Sequence, residues 1–261
     1  MTLRHEVSDG IAVITFDRPD VLNAFNDEMG LAALEAVRAS AADEAVRCIV
    51  ITGEGRAFSS GEDLGALSDG YRRGEVPDLG DTLVRRYNPL ISAITSAPKP
   101  VLAAINGVAA GAGASVALAC DFRVAVDTAK LVLAFIKVGL VPDSGALWFL
   151  ERMIGSARTW RMAATGAPLD AATAREWGIY DKVVPAEDFE SAWRELAVEL
   201  AAGPTRGFAL TKELLLNSVG STLSQQLEAE IAAQTAAGKT SDHLEGVQAF
   251  FDRRPPSFGG Q

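Results

Sequence analysis

At 261 residues the chain has room for one compact α/β domain with an appended region. Its 48% hydrophobic and 22% charged content is that of a folded globular chain, and no apolar run reaches the roughly 20 residues that a membrane span needs. A formal charge of -10 argues against a general nucleic-acid binder, and leaves any anionic ligand dependent on a local group of cations.

Residues 11–16 (IAVITF) read as a buried strand, residues 27–41 as an amphipathic helix opened by Asn26 or Asp27, and residues 46–52 as a second buried strand. This is a β–α–β unit. Residues 53–80, rich in Gly, Asp and Arg, read as a long functional loop broken by a short helix. A helix follows with Leu83, Val84, Tyr87, Leu90, Ile91 and Ile94 on one face, and Pro98 and Pro100 stop it. Strand 100–105 leads through the turn Asn106-Gly107 and a Gly- and Ala-rich segment into a short helix over 113–119, with strands near 121–126 and 131–135. From about residue 145 helices carry the chain, apart from a short IYDKVV strand, with Gly155, Gly178, Gly203 and Gly220 as punctuation. Apolar stripes such as Leu210, Leu214, Leu215 and Leu223, Leu227, Ile231 either close the core or meet another subunit. The tail SFGGQ reads as frayed.

Cys48 and Cys120 are the only cysteines, and each lies in an apolar stretch, so buried thiols in a reducing cytoplasm are expected. His5 and His243 sit at opposite ends of the chain, which disfavours a Ser-His-Asp hydrolase or a His-ligated metal site. No metal or redox cofactor is implied.

Two small-residue segments follow buried strands, Phe58 to Leu64 and Asn106 to Ser115, and each ends at a helix start. Small residues let a ligand approach the backbone, and free N–H groups at helix starts favour a developing negative charge. Together they can form an oxyanion hole; close helix-on-strand packing explains most such clusters taken singly, and two in matching contexts favour the functional reading.

The strings DRPDVLNAF (17–25), AFSSGEDL (57–64), KPVLAAINGVAAGAG (99–113), DFRVA (121–125), GLVPDSG (139–145) and AREWGIYDKVVP (174–185) recur in this order in the enoyl-CoA hydratase/isomerase (crotonase) family, which the chain resembles over roughly residues 10–255. The resemblance implies an α/β fold, a crotonase-like spiral of repeated ββα turns. It places the spiral core in residues 1–195 and a helical C-terminal region for trimerisation and active-site cover in 196–261. It also implies an acyl-CoA thioester as substrate, with coenzyme A entering as part of that substrate, and a homotrimer or a hexamer built as a dimer of trimers.

By position, the family's oxyanion donors fall on the backbone N–H groups of Glu62 and Ala112, with the Glu62 carboxylate expected to be a solvated loop charge. One such donor is worth about 10²- to 10³-fold in rate. The resemblance also carries Val21, Leu22, Ser60, Glu62, Leu64 and Ala112 to coenzyme binding, and Arg18, Arg56 and Lys212 are candidate phosphate contacts. Residues 66–90 are expected to cover the acyl end, with Tyr71, Tyr87 and Trp148 shaping it.

The chain departs from the hydratase pattern where the two hydratase glutamates align with Ser115 and Phe135. Neither can share acid and base work on water. One carboxylate remains in a suitable motif, Asp143, and the PDSG string resembles the isomerase branch of phenylacetate degradation, whose base is this aspartate. A single base suits a double-bond shift through a dienolate; on residue type alone, without the resemblance, Asp143 reads rather as the N-cap of the helix that follows. Alternatives are a hydratase of atypical mechanism, a hydrolase or dehalogenase of the same fold, and a non-catalytic acyl-CoA-binding scaffold.

Overall fold

In the computed structural model, which describes residues 2–261, the chain opens with a hairpin of β1 (Leu3–Ser8) and β2 (Ile11–Phe16). Asp9 and Gly10, both at positive φ, make the two-residue turn that an Asp-Gly pair favours. β1 is not among the expected strands: only Leu3 of its six residues is buried, so apolar content does not mark it. Helix α1 (Asp27–Ala42) then begins with Asn26 as N-cap, its side chain accepting from the Met29 N–H at 2.9 Å.

The chain next winds through repeating turns, each sending one strand into a large sheet and the next into a small one. β3 (Cys48–Gly53) and β4 (Ala57–Ser59) form the first pair. Short helices α2 (Ser68–Arg72) and α3 (Leu79–Thr82), a π-helical turn over Leu83–Tyr87 and α4 (Asn88–Ser96) follow. β5 (Val101–Ile105), β6 (Val108–Ala110) and α5 (Ala112–Ala119) form the second turn, and β7 (Phe122–Val126) and β8 (Lys130–Val132) the third. Helix α6 (Ala146–Thr165), β9 (Leu169–Asp170), α7 (Ala171–Glu176) and β10 (Lys182–Val184) complete the spiral.

The large sheet has the order β1-β2-β3-β5-β7-β10 and is parallel except at the hairpin; the small sheet runs β4-β6-β8-β9, with only β9 antiparallel. The central strands are buried on both faces, which is why they read as unbroken apolar runs. Ile49, Ile51, Val101 and Ala103 face the main core, while Cys48, Val50, Leu102 and Val124 face a second layer formed by α8 (Phe189–Ala201) through Trp193, Ala197 and Leu200. Both cysteines are buried free thiols, and burial pushes each thiol up to about 12.

Three polar latches hold successive turns together. The nearly buried Lys99 ammonium donates to the carbonyls of Ser40, Asp43 and Val46 at 2.8–3.0 Å, closing the end of α1 onto β5. Asn106 Nδ2 donates to the carbonyls of Gly53, Gly55 and Ala57. A Cβ on the adjoining Gly107 would lie 2.1 Å from the Arg56 carbonyl oxygen, so only glycine permits that approach. Arg123 Nε donates to the Ile179 carbonyl at 2.6 Å, tying the DFRVA strand to the IYDKVV segment.

The expected division at residue 195 falls within α8, a continuous helix that belongs to the sheet's outer layer. Beyond it lie α9 (Thr205–Ser218), α10 (Leu223–Ala237) and α11 (Ser241–Asp252). The tail is docked, contrary to the expectation of fraying. Asp242 accepts from the Gly259 and Gly260 N–H groups at 2.7 and 2.9 Å, and the Gln261 carbonyl accepts from Ser241 Oγ and the Asp242 N–H.

Candidate active site

The first loop of the site is built by the DVLNAF turn. Leu22 and Asn23 both adopt positive φ, which turns the chain sharply and buries the Asn23 side chain. Asn23 Nδ2 donates to the Glu54 and Ala57 carbonyls at 3.0 and 2.7 Å, and its Oδ1 accepts from the Arg18 N–H. Ser59 Oγ donates to the Asn23 carbonyl at 2.8 Å and accepts from the Gly61 N–H. Phe25 then pairs with the loop as a strand would: its N–H donates to the Gly61 carbonyl, and its carbonyl accepts from the Asp63 N–H. That alternation leaves the Glu62 N–H pointing away from Phe25.

The second loop begins at the end of β6. Gly111 has φ 53 and ψ -127, a conformation open essentially to glycine alone, and its N–H is held by the Val132 carbonyl. The following residue, Ala112, starts α5. Gly113 brings that helix against β4, since a Cβ there would lie 2.6 Å from Ser59 Cβ. At Gly61 a Cβ would lie 3.4 Å from the Ala112 nitrogen, so the loops meet beside both candidate donors. Among the described residues neither the Glu62 nor the Ala112 N–H has a hydrogen-bond acceptor, and both residues line one cavity. Bare donors at a buried loop junction are groups that close packing alone would leave unsatisfied.

That cavity, of about 370 Å³, falls in the size range of small-molecule sites. Ser60, Glu62, Leu64, Gly111 and Ala112 form one wall, Phe135 and Asp143 another. The segment expected to cover the acyl end supplies Leu67, Tyr71, Pro77, Leu79, Leu83 and Tyr87.

Asp143 is not an N-cap. Helix α6 is entered through Gly145 with no capping side chain, and the Asp143 carbonyl, rather than its carboxylate, accepts from the Ala146 N–H at 3.0 Å. Ser144 and Gly145 at φ 52 and 77 turn the chain so that the carboxylate faces the cavity. Its one hydrogen bond among the described residues comes from Ser144 Oγ at 2.8 Å, and no cation pairs with it. Burial raises the Asp143 carboxyl above the ordinary range; the Ser144 bond opposes this, and the Glu62 charge adds to the rise.

Ser115 does not reach the cavity. Its hydroxyl donates to the Asp143 carbonyl at 3.1 Å, fixing the turn that carries the carboxylate. Phe135 presents an apolar ring to the cavity from the neighbouring 3-10 turn.

One expectation is corrected, and other expected residues are placed outside this cavity. The Glu62 carboxylate is not a free loop charge: the Tyr87 hydroxyl donates to Oε2 at 2.5 Å and Arg86 Nη2 binds the same oxygen. Arg86 escapes sequence reasoning because the expected 3.6-residue spacing fails in the π-helical turn, which carries the consecutive residues Arg86 and Tyr87 inward and leaves Val84 exposed. Val21 and Leu22 do not line the cavity; their carbonyls instead accept from Ser60 Oγ and the Ser60 N–H at its rim. Arg18 is spent on Asp63, at 2.9 Å, and on the Ala24 carbonyl. Lys212 is likewise held by Asp121, at 2.7 Å, and the Ile94 carbonyl. Arg56 is exposed and lies outside the cavity wall. Trp148 stacks under Arg152 and lines a different cavity, with Phe122, Phe208 and Leu215. His5 and His243 are both absent from the site's walls.

The enoyl-CoA hydratase/isomerase family model matches residues 6–261. The chain is 45% identical over 263 residues to a protein of Rhodobacter capsulatus named probable enoyl-CoA hydratase, covering 100% of this chain and 98% of that one. It is 42% identical over 255 residues to the 1,2-epoxyphenylacetyl-CoA isomerase of Escherichia coli, covering 98% and 97%. The crystal structure of an enoyl-CoA hydratase from Polaromonas sp. JS666 superposes with a TM-score of 0.91 at 34% identity, covering 98% of this chain and 99% of that one.

Proposed function

Because the chain belongs to the enoyl-CoA hydratase/isomerase (crotonase) family, whose members act on acyl-CoA thioesters, we propose that it is an isomerase that moves a double bond along the acyl chain. The Glu62 and Ala112 N–H groups receive the thioester oxygen as it becomes enolate-like. Asp143 removes a proton from one carbon of the acyl chain and returns it to another. No net water is consumed, and the dienolate is stabilised by donors already in place. The observation that carries this reading is the Asp143 carboxylate: half-buried against the cavity, without a cation among the described residues and relieved of any capping task.

One observation favours a second reading, hydration of a 2-enoyl thioester, because Glu62 brings another carboxylate to the same cavity. Incubation with a trans-3-enoyl-CoA separates the two. Isomerisation yields the conjugated 2-enoyl thioester, seen as a gain in ultraviolet absorbance at unchanged mass. With a trans-2-enoyl-CoA offered separately, a product heavier by one water, together with no conversion of the 3-enoyl thioester, would replace this reading with hydration.

We also infer self-association into a trimer or hexamer. Leu223, Leu227 and Ile231 repeat along α10 at 52–74% exposure, an apolar stripe too regular for a free surface. Sedimentation equilibrium is expected to return a multiple of three chains; a monomer at micromolar concentration would contradict it.

A further inference from the structure

Glu62 combines a backbone donor with a carboxylate whose setting is more elaborate than a surface charge requires. Arg86 is 3% exposed and reaches its position because α1 carries Gly30, where a Cβ would lie 2.2 Å from Arg86 Cδ. From there Nη1 donates to Asp27 Oδ1 at 3.0 Å, Nη2 binds Glu62 Oε2, and the guanidinium carbon lies 4.6 Å from the centre of the Tyr87 ring. Tyr87, buried and packed edge-on to Phe25, donates its hydroxyl to the same Glu62 oxygen. Two rigid donors on one oxygen fix the carboxylate's position, and a guanidinium does not surrender its proton. Glu62 therefore presents a fixed carboxylate on the cavity wall that also holds Asp143.

We propose that the Glu62 carboxylate, clamped by Arg86 and Tyr87, is a positioning residue that acts through Asp143: its fixed charge disfavours a second anion nearby and so makes Asp143 a stronger base. The inference rests on the reading of Asp143 as the base.

The groups facing Asp143 are few. Ser144 Oγ comes from its own turn, Glu62 from the first loop and the Tyr87 hydroxyl from the π-helical turn, while Phe135 is apolar. Farther round the cavity Asp27, Asp78, Asp81, Arg85 and Arg86 line the α1 and α3 side, and Arg85 is paired with Asp81 at 2.5 Å. The Glu62 charge acts on Asp143 in the same upward direction as burial.

The test is a carbon-13 NMR titration of the free protein labelled at aspartate carboxyls, with the Asp143 signal assigned by its loss in Asp143→Asn. Glu62→Gln keeps the side chain's shape and an acceptor for both donors but removes its charge, and its Asp143 midpoint is expected at a lower pH than in the unaltered protein. Tyr87→Phe removes one clamp bond and leaves the charge, so its midpoint is expected to stay near that of the unaltered protein. In turnover, Glu62→Gln should move the acid limb of kcat/KM to lower pH, with a plateau kcat reduced about two- to fivefold as the base weakens. An unchanged Asp143 midpoint in Glu62→Gln, or an equal fall in Tyr87→Phe, would overturn the proposal. The titration needs no substrate, so it decides the role of Glu62 even if no double-bond shift is detected; that absence would count against the isomerase reading alone.

Discussion

Asp143→Asn is expected to lower turnover of a 3-enoyl-CoA about 10²- to 10⁴-fold, ~3–5 kcal/mol in activation free energy, while raising the melting temperature. The rate loss follows because the amide cannot accept a proton, and Ser115 and Phe135 offer no substitute. The gain in stability follows from the sign of the perturbation. Burial raises the folded-state Asp143 carboxyl above its unfolded value, so the folded protein binds the proton more tightly. Stability then falls as pH rises from the ordinary aspartate range through the raised folded value, and the full penalty is present at neutral pH. An uncharged amide of the same shape avoids it. Ser144 Oγ can still donate to the amide oxygen, so the local turn is retained. Binding of coenzyme A should persist, measured by calorimetry, because the loop that presents Ser60 and Leu64 is untouched. A variant with normal turnover would remove Asp143 from the chemistry, and one with a lower melting temperature would show that its charge is compensated in the fold.

Gly61→Ala is expected to reduce kcat about 10²- to 10³-fold, the usual worth of one oxyanion donor, and to destabilise the protein by about 1–3 kcal/mol. Gly61 has φ 92, a region that L side chains rarely adopt. Its Cβ would lie 2.9 Å from the Ala110 carbonyl oxygen and 3.4 Å from the Ala112 nitrogen, so relief of the contact pushes apart the two loops whose N–H groups must converge. The loss should appear in kcat rather than KM, because the donors bind the oxygen most strongly when it carries charge. Chemical denaturation and steady-state kinetics measure the two effects separately. Kinetics equal to those of the unaltered protein would mean that the donors lie elsewhere.

The parts of this site that are readable in sequence are those made by local backbone chemistry. Gly61, Gly111 and Gly113 follow buried strands, and each is needed where a side chain would collide or a glycine-only conformation occurs. The central strands are legible because both faces are covered, which leaves no polar alternation to confuse with a helix. Asp9-Gly10 is a readable hairpin turn, yet β1 is hard to see because its side chains are exposed. What is not legible depends on partners distant along the chain. The Glu62 clamp joins residues 24 and 25 positions apart through a π-helical turn that breaks the helical period. Lys212 looks like a free cation until Asp121, 91 residues away, is seen to hold it. The tail, rich in glycine, is held by partners far back along the chain, among them the Asp242 carboxylate, which accepts from two glycine N–H groups.

The most direct test follows one proton. A trans-3-enoyl-CoA deuterated at C2 is mixed with excess protein in water enriched in oxygen-18, and the product of a single turnover is analysed by mass spectrometry and NMR. If Asp143 alone carries the proton, the product is the conjugated 2-enoyl thioester, free of oxygen-18, with part of the C2 deuterium recovered at C4 and conversion at least about 10²-fold slower in Asp143→Asn. Oxygen-18 in the acyl chain, or conversion at an unreduced rate in Asp143→Asn, would contradict the single-base account.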